Sequence, residues 1–183
     1  KMANINVTYD DKNVANLSIG GIFAADRISS VKFKAEIEDG KVFLKTEDGQ
    51  AKVKLTGGEM YAVTNSYNKL IPEYESKIDT IASTIFTKVN EYHLQGYSDT
   101  NPQLTGLNFF ESYSEGVLKI NKEIVRDPSL LAVSADGTPG NSDIALRIAG
   151  FKDEKVLNGK TVQESYNDCI SNIGNLKMLN DQK

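Results

Sequence analysis

Residues Leu70–Gly96 read LIPEYESKIDTIASTIFTKVNEYHLQG. Leu70, Tyr74, Ile78, Ile81, Ala82, Ile85, Val89 and Tyr92 follow one another at three- and four-residue steps, the period of one helix face. A stripe this long packs along partner helices. Each large aliphatic side chain it buries stabilises by about 1.5–3 kcal/mol. Just upstream, "TGGE" at Thr56–Glu59 has the form of a capping box, with hydroxyl and carboxylate each reaching the other residue's amide. The helical pattern is therefore expected from Thr56 to about His93. Pro72 lacks a donor and crowds the preceding turn, which predicts a kink or restart near Leu70–Ile71. Gly96 is expected to end the helix as its C′ residue. His93 then falls in the last turn, where it suits the helix dipole and the orphan carbonyls. Chemistry at His93 would need a nucleophile and an orienting acid, and the sequence offers only generic Ser, Asp and Glu. The expectation is that His93 closes the helix.

Before Thr56 the period is two. "SVKFKAEIE" places Val31, Phe33, Ala35 and Ile37 on one face and Lys32, Lys34, Glu36 and Glu38 on the other. Asp39-Gly40 and Asp48-Gly49 are turn pairs, so "KVFLKTE" and "QAKVKL" complete a three-stranded antiparallel meander. Its lysines also guard exposed edges. "NINVTY" and "VANLSIGGIF" read as further short strands, with Gly20-Gly21 as a turn.

After Gly96, "QGYSDTNPQLTG" is a polar loop, and "NFF" returns to the core because adjacent Phe109 and Phe110 are rarely left in water. "VLKIN" predicts a strand leading to Asn121, the cap of a helix in "KEIVRDPSLLAVS" that Pro128 splits, with Asp127 as a second cap. Asn141 or Ser142 caps "DIALRIAGF"; "NGKT" is a turn; Thr161 caps a final helix. Val162, Tyr166, Cys169, Ile170, Ile173 and Leu176 form its apolar face, a candidate partner for the Ile78–Tyr92 stripe. No stop signal precedes Lys183, as if the chain were cut within a helix.

Composition removes most enzyme chemistry. The 183 residues hold one Cys, one His and no Trp, so no intrachain disulfide and no Cys/His zinc site can form. A net charge of −4 lacks the cationic excess that phosphate backbones or anionic membranes attract. No apolar run approaches a membrane span of about 20 residues. No signal-peptide layout opens the chain. The glycine pairs at Gly20 and Gly57 match no phosphate-binding motif. Asp136, Asn141 and Asp143 have the wrong spacing for a calcium loop. Glu73 and Glu75 point apart on a helix and form no glycosidase pair. Cys169, on an apolar face, reads as a buried structural thiol. No catalytic, cofactor-binding or metal-binding residue is expected.

The pattern "GGEM…LIPEYESKIDTIASTIFTKVNEYHLQGY…FFE" resembles the family of bacterial flagellar hook-associated protein 1, the first hook–filament junction protein. The matching positions are Gly57, Gly58, Glu59, Pro72, Tyr74, Ile78, Asp79, Ile81, Ala82, Val89, Asn90, His93 and Gly96. "INKEIVRDPSLLAVS", "GNSDIALRIAGF" and "TVQESYNDCISNIG" follow in the family's order, so the resemblance covers about residues 56–176. It implies a central fragment without the terminal helices that form the inner tube.

The expected fold class is α+β: an antiparallel β meander in a β-rich domain, residues 1–56, then a helical bundle with long amphipathic helices, residues 57–183. A loop-rich insertion is expected around 95–117. The resemblance further implies a structural adaptor without cofactor. Its partners would be the hook protein, the next hook–filament junction protein and its own copies in a ring, with no nucleic acid and no membrane. It would reach the cell exterior through the flagellar secretion apparatus without a cleaved signal peptide. A surface adhesin or antigen module with a helical stalk is the alternative.

Overall fold

Gly20 and Gly21, at φ 58° and 85°, make the two-residue turn that sets Ile19 opposite Ile22. Positive φ at both central positions is what such a hairpin needs, and glycine supplies it without steric cost. The turn joins β2 (Ala15–Ile19) to β3 (Ile22–Ala25), and β1 (Ile5–Tyr9) pairs with the other edge of β2, all antiparallel. The structure is a computed structural model that describes residues 2–114 and 116–181; the expectation at Lys183 lies outside them. The chain forms two compact units, Lys1–Tyr74 and Glu75–Lys183, within an α+β architecture of antiparallel strands followed by helices.

In the first unit, Asp39-Gly40 joins β4 (Phe33–Glu38) to β5 (Lys41–Thr46) in register from Phe33↔Thr46 to Glu38↔Lys41. The third strand of the expected meander is reduced to a single bridge, Lys45↔Lys52. Its cause lies further along the chain. The Asn68 amide donates to the Val42 carbonyl and accepts the Val42 N–H, both at 2.7 Å, and so occupies the β5 edge that a longer strand would need. The alternation in β4 also departs from expectation. Ile37 is 64% exposed, while Glu36 and Glu38 are half-buried around the buried ammonium of Lys45.

The Thr56–Glu59 capping box is not formed. Helix α1 (Glu59–Asn65) starts after Gly58, whose φ of 86° turns the chain before any Thr56 hydroxyl bond is made. The Thr56 N–H instead donates to Asn4 Oδ1, and the Met2 carbonyl takes the Met60 N–H at 2.9 Å, one of the helix's orphan donors. Before Pro72 the helix is disturbed but not broken, since Asn65, Ser66 and Ile71 all keep right-handed helical angles. Residues Ser66–Leu70 form a π-helical turn, in which the Ile71 N–H reaches the Ser66 carbonyl five residues back. Helix α2 (Ile71–His93) follows that turn without a break, with Pro72 as its second residue.

In the second unit, β6 (Tyr97–Ser98) pairs with β9 (Ala132–Ser134), and β7 (Phe110–Ser114) pairs with β8 (Val117–Ile120). Asn121 caps α3 (Lys122–Arg126) and Asp127 caps the 3₁₀ turn Pro128–Leu130, as their positions predicted. Strands β7 and β9 were not legible, and β9 replaces helix expected in "LLAVS". The Ala132 N–H is drawn to His93 Nε2, which holds the segment extended. Helices α4 (Asp143–Gly150) and α5 (Val162–Asp181) follow. Among the described residues of this unit, Ile81, Val89, Tyr92, Ile124, Ala132, Ile144, Phe151 and Cys169 are the buried hydrophobic ones.

Candidate functional site

His93 is 1% exposed. Its Nδ1 lies 2.7 Å from the Leu107 carbonyl, and its Nε2 accepts the Ala132 N–H at 3.0 Å. A carbonyl can only accept and an amide N–H can only donate here, so the ring is the neutral Nδ1–H tautomer. Burial holds its pKa below the ordinary histidine value, and the Leu107 bond opposes that only in part. Both ring nitrogens are thus committed to backbone, and the Phe109 ring meets the imidazole edge-on at 5.7 Å. The expectation that His93 serves its own helix's last carbonyls is corrected: it ties two distant segments to the helix end. Gly96 is corrected too, since the helix stops at His93 and Gly96 has no positive φ. A Cβ there would come 2.9 Å from Ile144 Cγ1 and 3.0 Å from Ala132 Cβ, so this glycine allows close packing.

The neighbouring turns carry structural polar contacts of the same kind. Asn90 donates to the Phe110 carbonyl at 3.0 Å and accepts its N–H at 2.8 Å. Tyr92 donates to the Glu154 carboxylate, with the Arg147 guanidinium 4.5 Å from its ring centroid and Phe151 edge-on. Burial and the Glu154 charge raise the Tyr92 pKa. Asp79 accepts from Tyr113, whose ring lies beside Phe86. Asn90 and its counterpart Asn68 were missed by sequence reading, because an asparagine inside a helix has no pattern that reveals a distant strand. The one local signal is a polar residue within the apolar stripe beside Val89.

Residues weighed for chemistry find structural partners. Asp136 accepts from Ser134, Thr138 and Asn141 at Oδ1, an intra-loop network. Among the described residues no group of three His, Cys, Asp or Glu side chains is placed to hold a metal ion. Cys169 is 4% exposed, on the helix face that reaches the core. No described helix is long and apolar enough to cross a membrane.

What the surface does offer is apolar helix face. In α2 the buried residues Ile81, Val89, Asn90, Tyr92 and His93 lie from Ile81 onward, whereas Ile71 and Ile78 are exposed. In α5 Cys169 is buried, but Tyr166, Ile170, Ile173 and Leu176 on the same apolar face stand in solvent. The first unit holds an apolar groove of about 310 Å³ between β5 and α1, lined by Ala35, Val42, Leu44, Leu55, Met60 and Val63. Single exposed hydrophobics are ordinary, but a run along one helix face marks an interaction surface.

A family model described as the flagellar hook-associated protein FlgK helical domain matches residues 1–110. No curated protein and no solved structure matches the chain. The matched span takes in the strands before Thr56 as well as α2, and it exceeds half of the 183 residues. The chain belongs to the family of the flagellar hook-associated protein FlgK helical domain, a structural component of the bacterial flagellum.

Proposed function

We propose that the chain is part of an adaptor that joins the flagellar hook to the filament through subunit–subunit contacts, without catalysis. The observation that carries this reading is the family match over residues 1–110. The exposed faces of α2 and α5 support it, because an adaptor acts through surfaces and leaves apolar side chains for its neighbours. The commitment of both His93 nitrogens to backbone also supports it, since the chain's sole imidazole then has no free nitrogen for proton transfer. In this reading the hook protein and the next junction protein are the partners, and copies of the full-length protein associate in a ring. Residues 1–56 project outward, while residues 57–183 meet neighbouring subunits. The protein works outside the cell, after export through the flagellar secretion apparatus without a cleaved signal peptide.

The test is genetic. In cells lacking the gene, swimming and monomeric flagellin in the medium are measured. Loss of filaments with flagellin released outside, reversed by the intact gene, is the expected result. Normal filaments and normal motility would overturn the reading and favour a surface adhesin module.

A further inference from the structure

A backbone nitrogen can attack the side-chain amide of a preceding asparagine when the next residue is small and neither group is held elsewhere. Three asparagines are followed by glycine or serine: Asn65-Ser66, Asn141-Ser142 and Asn158-Gly159. The first two are locked. The Ser66 N–H bonds to the Ala62 and Val63 carbonyls. The Asn141 amide donates to Asp136 and Asp143 while its oxygen accepts the Asp143 N–H at 2.9 Å. Asn158 differs. It sits with Gly159 in an exposed turn at φ 51° and 79°, closed by paired bonds between Leu157 and Lys160 at 3.0 and 2.9 Å. Among the described residues, neither the Asn158 amide nor the Gly159 N–H has a hydrogen-bond partner.

We propose that Asn158 is a site of spontaneous deamidation whose product loosens the start of α5. The Gly159 nitrogen forms a bond to Asn158 Cγ, the Cγ–Nδ2 bond breaks, and ammonia leaves with the Gly159 proton. Water then opens the cyclic imide at either carbonyl, giving aspartate or its β-linked isomer. The β-linked form adds a methylene to the backbone, which a two-residue turn with both φ positive cannot hold. The next residues are Lys160, paired with Asp168, and Thr161, which caps α5, so the distortion is delivered to the helix's first turn.

The test incubates the folded chain at mildly alkaline pH and follows each asparagine by peptide mass spectrometry, with hydrogen exchange over residues 162–168 as the structural readout. Asn158 converts ahead of Asn65 and Asn141, and the converted fraction loses protection in the first turn of α5. Asn158→Gly keeps a turn that accepts positive φ, lacks the amide, and retains protection through the same incubation. The proposal is overturned if Asn158 keeps its amide while the denatured chain converts, or if conversion leaves the first turn of α5 equally protected.

Discussion

Asn90 and Phe110 form a reciprocal pair, with the Asn90 amide donating at 3.0 Å and accepting at 2.8 Å, so that α2 takes the place of a strand on the backbone of β7. Asn68 does the same to Val42 of β5 at 2.7 Å. A helix cannot normally satisfy a strand edge, because its own backbone groups are spent internally. A carboxamide can, since it carries the same donor and acceptor as a peptide group. Asn90 is buried, so Asn90→Ala leaves the Phe110 N–H and carbonyl without partners, each at about 1–3 kcal/mol. Urea unfolding should show a loss of roughly 2–3 kcal/mol. Asn90→Asp should also destabilise, because a carboxylate cannot donate to the Phe110 carbonyl.

His93 gives the chain a specific acid sensitivity. Its folded pKa is lowered, chiefly by burial, so near pH 6 the unfolded chain takes up a proton that the folded chain refuses. Stability supplied by this group is present above the unfolded value of about 6.5 and is lost as pH falls through the lowered folded value. Because His93 is the only histidine, no other imidazole contributes in that window. Urea midpoints should fall as the pH drops below about 6.5 in the native chain. In His93→Gln, which can still donate to Leu107 and accept from Ala132, that fall should disappear. An unchanged slope in the variant would assign the acid sensitivity elsewhere.

Two sequences of identical form make the limit of sequence reading visible. Thr56–Glu59 and Thr161–Glu164 both fit the capping box. At Thr161 the box is real: the Glu164 N–H donates to the hydroxyl at 3.1 Å, and the Glu164 carboxylate accepts the Thr161 N–H at 2.8 Å. At Thr56 the backbone leaves through Gly58, and a distant residue, Asn4, takes the Thr56 N–H. Thr161→Ala should therefore cost about 1 kcal/mol, and Thr56→Ala no more than about 0.5 kcal/mol. Equal losses in a thermal or urea melt would contradict the geometry.

The same distinction runs through the whole chain. The Gly20-Gly21 turn, the Asp39-Gly40 hairpin and the disturbance before Pro72 were legible because each is decided within a few residues. Strand β9 was not, because its extension depends on a bond from Ala132 to His93, 39 residues earlier. The exposure of Ile37 was hidden too. Ile37 lies opposite Val42 on the face that lines the groove yet stays exposed, while on the other face Lys45 gathers Glu36 and Glu38 and the Glu38 pKa is lowered by bonds from Lys45 and Lys52. Asn68 and Asn90, each tying a helical segment to a strand backbone, were likewise hidden, since their partners lie 26 and 20 residues away.

Gly96 tests whether a glycine expected as a cap is a spacer. A left-handed cap residue would lose stability on Gly96→Ala through backbone strain, whereas here the backbone already suits alanine. The loss should come from the new methyl meeting Ile144 and Ala132, an overpacking cost of about 1–3 kcal/mol. Ile144→Val deletes only Cδ1 and leaves the γ-carbons in place, but Ile144→Ala vacates the contact. The double variant Gly96→Ala/Ile144→Ala should therefore lose less than the sum of the two single changes. Strict additivity in urea melts would mean that the methyl and Ile144 do not meet.

The exposed face of α5 separates folding from assembly. Ile170 and Ile173 are 50% and 46% exposed, so replacing them with glutamate removes little buried area and should change the stability of this chain by no more than about 0.5 kcal/mol. If the adaptor reading is right, the same pair of substitutions in the intact gene places two charges in a subunit contact, where desolvation opposes association. Swimming should fail and flagellin should appear in the medium, although the isolated chain melts as before. Asn175→Glu, also exposed on α5 but on the side opposite this face, should leave motility intact. Normal swimming with Ile170→Glu/Ile173→Glu would remove this face from the contacts, whereas a collapsed melting transition would show that the isoleucines serve the fold.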